Sequence, residues 1–256
     1  MAEPVLVEVC VDSVTSALAA QRGGAQRIEL CSDLFEGGVT PSLGLLAVVR
    51  SKVSIGLHVI IRPRPGDFCY SDEELECMRR DIEVAKKQSA DGVVLGVLGE
   101  DGGVDVRRTR HLVEWARPMA VTFHRAFDTS PDLFRALEEV CATGADRILT
   151  SGGEQECRQG VGTVAQLVKS ARGRTTIMAA GRIGVQDAPA IIEGTGVREI
   201  HVGLATPVAN SMPHPNSRRL SLGKAPEHGF QRTQVLEESV RDLVRAISSG
   251  AETKLD

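Results

Sequence analysis

Two short apolar runs near the start of the chain each carry a carboxylate and a thiol two residues apart. These are Glu8 and Cys10 in VEVCVD, then Glu29 and Cys31 in RIELCS. Further along, IRPRPGDF brings Arg62, Arg64 and Asp67 together, and TFHRAFD does the same for His124, Arg125 and Asp128. Arginine forks grip carboxylate or phosphate, histidine takes or gives a proton near neutral pH, and a buried Glu8 or Glu29 with a raised pKa joins them. The chemistry within reach is proton transfer, isomerisation or lyase chemistry on a small anion. Glu8, Glu29, Arg62 and His124 are its catalytic candidates. Arg64, Asp67, Arg125, Asp128, Ser151 and His201 are candidates for holding the substrate, and the carboxylates with His124 or His201 have the donors for a divalent ion. The plainer alternative is an internal salt-bridge lattice of Glu8, Glu29, Arg62 and His124, satisfied and inert.

Such residues need a frame. Eight β-like runs alternate with helix-length stretches: VLVEVCVDS, RIELCS, GLHVIIRP, DGVVLGVL, MAVTFHRAFD, RILTS, TTIMAAGRI and REIHVGLA. Several of the intervening stretches open on Ser, Asp or Pro and close on Gly, which suits helix caps. Strict alternation of strand and helix predicts a parallel sheet. A faint repeat aligns Ile28, Val93, Ile148 and Ile200 at intervals of 65, 55 and 52 residues, one pair of βα units each. Four pairs make eight units, and the expected fold is an α/β (β/α)8 TIM barrel in one domain over 1–256. An open doubly wound sheet is the rival, but no GxGxxG follows the first strand and the repeat runs on to the end.

Side chains alternate across a strand, so the apolar alternates fix the two faces. Val7, Val9, Ile28, Leu30, Ile61, Val121, Phe123, Ile200 and Val202 are predicted to face the helices. Glu8, Cys10, Asp12, Glu29, Cys31, His58, Arg62, Thr122, His124, Ser151, Glu199 and His201 then face the barrel interior. Buried charges at that density are costly unless paired, which predicts a pocket at the mouth.

Composition narrows the classes. The 256 residues are 42% hydrophobic and 25% charged with a net charge of −4, as in an ordinary globular protein with a large core. Charges are interspersed, so neither nucleic acid nor an anionic membrane is an expected partner. The N-terminus lacks signal-peptide character and no run is long enough to span a bilayer. The expected compartment is the cytoplasm, with the nucleus also open to the chain. The six cysteines are then expected to be reduced, and no CxxC occurs among them. All six lysines fall in predicted helices or loops, which argues against a Schiff-base aldolase, and GxSxG, HExxH and HxH motifs are absent.

VEVCVDS, GGAQRIELCSDLFEGGVTPSLG, IRPRPGDFCYSDEE, VTFHRAFD and RILTSGG resemble the signature blocks of the CutC copper homeostasis family, in order over most of residues 5 to 205. The resemblance implies a (β/α)8 fold, a cytoplasmic location, homo-oligomers, and copper binding or copper tolerance. It carries the metal role onto Cys10 and Cys31. Copper(I) is soft and takes thiolate, and neighbouring strands lie roughly 4.8 Å apart, so one ion can bridge the two thiols. His124, His201 or Met178 are candidate additional donors. The competing reading is that both cysteines are small core fillers. MAAGRIGVQD departs from the family where Arg182 replaces a commonly found glycine. Gly181, Gly184 and Arg182 stand where phosphate-binding barrels place backbone amides after strand seven, although glycines there also serve tight turns. A long polar loop over 206–233 precedes the last helix and reads as a lid, an arm onto a neighbouring subunit, or disorder. Within it, RRLS resembles a basophilic kinase site at Ser221.

Overall fold

The computed structural model describes residues 4–209 and 232–252. Eight parallel strands close into a barrel: β1 (Leu6–Val11), β2 (Arg27–Leu30), β3 (Gly56–Ile60), β4 (Gly92–Leu95), β5 (Ala120–Phe123), β6 (Arg147–Thr150), β7 (Thr176–Ala179) and β8 (Glu199–Val202). They pair in chain order, and β1 closes the ring against β8. Helices α1 (Val14–Gly23), α2 (Leu43–Lys52), α3 (Asp72–Lys87), α4 (Val106–Ala116), α5 (Leu133–Thr143), α6 (Val161–Ala171), α7 (Ala188–Thr195) and α8 (Glu237–Glu252) surround it. No helix among the described residues is long and apolar enough to cross a membrane.

The caps explain why the helices begin and end where they do. Ser13, Ser42 and Asp105 each accept a backbone N–H at the start of α1, α2 and α4, while Ser71 and Glu74 form a reciprocal capping box on α3. Glycines with left-handed backbone close α1, α5 and α7 at Gly24, Gly144 and Gly196.

Every strand residue predicted to face the helices lies in the main apolar core between barrel and helices. The interior is different. It holds two small apolar clusters, Cys31 with Ile60 and Val94, and Leu149 with Met178 and Ala180, among buried charged groups. Two glycines on one face of β4 and its extension make room for rings from the neighbouring strands. A Cβ at Gly92 would stand 2.4 Å from the His58 ring, and one at Gly96 would stand 2.6 Å from the His124 ring.

The segment predicted as a polar loop from 206 to 233 is structured at both ends. β9 (Ala205–Val208) and β10 (Arg232–Val235) pair antiparallel, with Val235 N–H donating to Ser16 Oγ at 3.2 Å and so fastening the ribbon to α1. Four-residue strands with Pro207 among them leave little periodic signal, which is why composition pointed to a loop. Residues 210–231, and with them Ser221, lie outside the described residues.

Candidate functional site

The strand register decides which side chains meet. Cys10 stands beside Glu29, Glu8 beside both Arg27 and His201, and Glu29 beside His58. Cys31 follows the end of β2 and continues the ladder, its N–H donating to Val11 at 2.9 Å. Glu8, Arg27 and Glu199 thus sit two residues deeper than Cys10, Glu29 and His201 on the same three strands.

The deeper set is an ion-pair lattice. Arg27 pairs with Glu8 and with Glu199, and Arg147 holds Glu199 through two hydrogen bonds of 3.0 and 3.2 Å. His201 Nδ1 lies 2.7 Å from Glu8 Oε1. Burial alone would raise the Glu8 pKa, but the hydrogen bond with His201 and the charge of Arg27 hold this carboxylate well below its usual range. His58 is kept neutral, lowered to about 4, because burial outweighs the Glu8 charge 3.7 Å away.

Cys10, Cys31 and Glu29 gather above this lattice. The two Sγ atoms are 3.7 Å apart, Cys31 Sγ lies 3.4 Å from Glu29 Oε2, and one donor atom from each residue fits within 4.8 Å of the others. The Cys31 hydrogen bond is the main reason the Cys10 thiol falls to about 5; burial opposes it and His201 reinforces it. Cys31, as donor beside that thiolate and buried as well, is raised well above its usual value. Burial and the Cys10 thiolate push Glu29 up to about 8. Burial works against charge on His201, yet its hydrogen bonds to Cys10 and Glu8 raise it well above its ordinary range. The site at neutral pH is therefore a thiolate and a thiol beside a protonated carboxyl, with an imidazolium below.

These groups line one cavity of about 300 Å³ at the barrel mouth, together with Arg62, Phe68, His124, Arg125 and Leu149. Seven of the residues singled out in the sequence converge there: Cys10, Cys31, Glu29, Arg62, His124, Arg125 and His201. Glu8 lies beneath, fully buried and bonded within the lattice. The others turn elsewhere. Arg64 is taken up by Glu74, by Asp67 and by backbone carbonyls of its own loop. Asp128 accepts from Thr150, from Ser151 and Gly153 N–H and from Arg125, locking the ends of β5 and β6 together. The Gly181 carbonyl accepts from Cys157 N–H, and Arg182 points to Glu156 at 3.3 Å. Met178 accepts from Arg27 at 3.1 Å, so its sulfur faces the lattice.

The alternative lattice of Glu8, Glu29, Arg62 and His124 does not form; Glu8 belongs to the observed one, and Glu29 meets it only through His201, at 3.8 Å. Arg62 donates to the carbonyls of Glu36, Gly38 and Gly66 instead, because the turn after β2 folds over its guanidinium. Arg27 and Arg147 are the residues missed. Alternation from Ile28 and Ile148 places both on the interior face, and that was the available signal.

A closed eight-stranded barrel with two thiols and a carboxyl gathered at its mouth cavity defines a (β/α)8 protein with a candidate metal or small-ligand site. The chain belongs to the CutC family, whose model matches residues 5–206. It is 44% identical over 243 residues to the mouse copper homeostasis protein cutC homolog, covering 95% of this chain and 89% of that one. It is 47% identical over 212 residues to the human homolog, covering 83% and 78%. Among solved structures, CutC from Streptococcus agalactiae superposes with a TM-score of 0.74 at 31% identity, covering 77% of this chain and 97% of that one. A thiamine phosphate pyrophosphorylase from Pyrococcus furiosus, at 16% identity and a TM-score of 0.59, shares the fold alone.

Proposed function

We propose that the chain serves copper homeostasis by holding one Cu(I) ion at the barrel mouth through Cys10 and Cys31, with Glu29 beside them. The observation that carries this is the thiol pair itself: two sulfur donors 3.7 Å apart in one cavity, with the Glu29 carboxyl within reach of both. Thiolate is the donor that selects a soft monovalent ion over the harder divalent ones. His201, as an imidazolium, has no lone pair to offer and serves as a counter-charge.

Charge balance supports a monovalent ion. Glu8, Glu199 and the Cys10 thiolate face Arg27, Arg147 and the His201 imidazolium, three charges of each sign. Taking up Cu(I) with loss of the Cys31 proton leaves that balance unchanged. A divalent ion requires a second proton to leave, from Glu29.

Anaerobic titration of Cu(I) against a competing chelator, in weak buffer with proton release recorded, tests this. One ion and about one proton per chain are expected near pH 7, both lost in the Cys10→Ser/Cys31→Ser double variant and retained in His124→Ala. Binding that survives loss of both thiols would overturn the assignment. A cytoplasmic or nuclear location and a homo-oligomeric state go with this reading as proposals, tested by cell fractionation and analytical ultracentrifugation.

A further inference from the structure

One wall of the mouth cavity carries a positive charge that the lattice does not answer. Arg62 is 6% exposed, and among the described residues no carboxylate pairs with it. Its two terminal nitrogens are spent on backbone carbonyls, of Glu36, Gly38 and Gly66 at 2.8 to 3.0 Å, the neutral Tyr70 hydroxyl lies beside the guanidinium, and among the described residues its Nε has no hydrogen-bond partner. His124 lines the same cavity and is 5% exposed. Its Nδ1 accepts from Ala126 N–H at 3.2 Å, which places the proton on Nε2, and among the described residues Nε2 likewise has no partner. Burial and the neighbouring Arg62 charge lower this imidazole to about 3, so it stands as a neutral donor. The Phe68 ring covers both groups, 5.3 Å from the Arg62 guanidinium and 4.9 Å from the His124 ring.

A buried guanidinium with no carboxylate and a buried N–H with no acceptor are both expensive, and they share a cavity. One guest answers both. Two N–H groups on two residues match the two oxygens of a carboxylate, and one unbalanced cation matches its single charge. A phosphate dianion would bring a second charge and a third oxygen with no donor assigned to them. Arg125, on the same cavity, is already balanced by Asp128. Ile60, Leu149 and Phe68 supply an apolar surface for a short carbon stem, and about 300 Å³ holds roughly ten water-sized volumes.

We propose that the barrel mouth binds a small monocarboxylate, its two oxygens on Arg62 Nε–H and His124 Nε2–H after the Phe68 ring turns aside, and its stem in the space shared with Cys10. This assignment does not depend on copper and is tested on the metal-free chain.

Iodoacetate and iodoacetamide form a near-isosteric pair, one a carboxylate and one neutral, and Cys10 is the reporter. In either reaction the thiolate sulfur attacks the methylene carbon, an S–C bond forms, the C–I bond breaks and iodide leaves. The rate at each cysteine is followed by peptide mass spectrometry at pH 7. Cys10 is expected to react with iodoacetate in a saturable manner and at least about tenfold faster than with iodoacetamide, a factor worth about 1.4 kcal/mol. Exposed Cys77 is expected to show no such preference. Acetate is expected to slow the iodoacetate reaction at Cys10, whereas acetamide and inorganic phosphate leave it unchanged. Arg62→Gln and His124→Phe are each expected to bring the Cys10 preference down to that of Cys77. Should either variant fail to fold, acetate protection of the wild type decides alone. Unsaturable alkylation with no preference for iodoacetate would overturn the proposal, and phosphate protecting as well as acetate would overturn the carboxylate class. Loss of the copper reading would leave all of these outcomes unchanged.

Discussion

Replacing His201 with Gln is the most direct way to test the electrostatics of the mouth. The imidazolium forms hydrogen bonds to Cys10 above and Glu8 below, and the thiol it supports titrates at about 5. A free thiol titrates near 8.5 and is about 3% ionised at pH 7, whereas the lowered Cys10 thiol lies on the thiolate side of its midpoint there. In His201→Gln the Cys31 hydrogen bond remains while burial opposes ionisation unaided by a cation. The Cys10 midpoint is expected to rise by at least about 2 units, past neutrality. The difference in thiolate ultraviolet absorbance between each protein and its Cys10→Ser counterpart, followed from about pH 4 to pH 9, gives the midpoint directly. A wild-type midpoint near that of a free thiol would refute the thiolate assignment. A His201→Gln curve lying over the wild type would refute the role given to the imidazolium.

Acid should destabilise the fold through its buried neutral histidines. His58 and His124 titrate at about 4 and about 3, below the unfolded value near 6.5, so the unfolded chain binds more protons as pH drops. Their contribution is full above about 6.5 and is lost as pH falls toward the folded values, an upper limit of about 3 kcal/mol per ring by pH 4, checked by urea unfolding across that range. Glu8→Gln leaves Arg27 and His201 short of a buried counter-charge and is expected to lower stability by about 3–5 kcal/mol in the same assay. Gly96→Ala drives a methyl group into the His124 ring and is expected to lose about 1–3 kcal/mol, with Ala at Gly92 acting likewise on His58.

The barrel was legible because strand alternation and βα order are imposed by backbone geometry at every unit. The interior position of Glu8, Glu29, Cys10, Cys31 and His201 follows because they are the alternates of the helix-facing Val9, Leu30 and Ile200. Partner choice does not follow from that count. Arg27 and Arg147 open their strands, and only the register across β1 and β2 and across β6, β7 and β8 shows that they meet Glu8 and Glu199. Loop residues were least legible, since a position near a strand end does not fix where its side chain turns. Arg64 faces the start of α3 because Glu74 is there to receive it, and Arg182 follows Glu156 away from the cavity. The wall formed by Arg62 and His124 was visible as residue types, but the missing counter-charge depends on how residues 36–38 wrap the guanidinium.

Asp128 and Arg64 never touch the cavity, yet between them they decide how it behaves. Asp128 stitches the end of β6 to the turn after β5, and Arg64 staples its own loop to α3. The backbone around the mouth is thereby set before anything arrives, and the adjustment a carboxylate asks for is the turn of the Phe68 ring. A guest meets a backbone already in its final shape and loses little affinity to ordering it. A mouth organised in this way discriminates by shape and charge at the moment of contact.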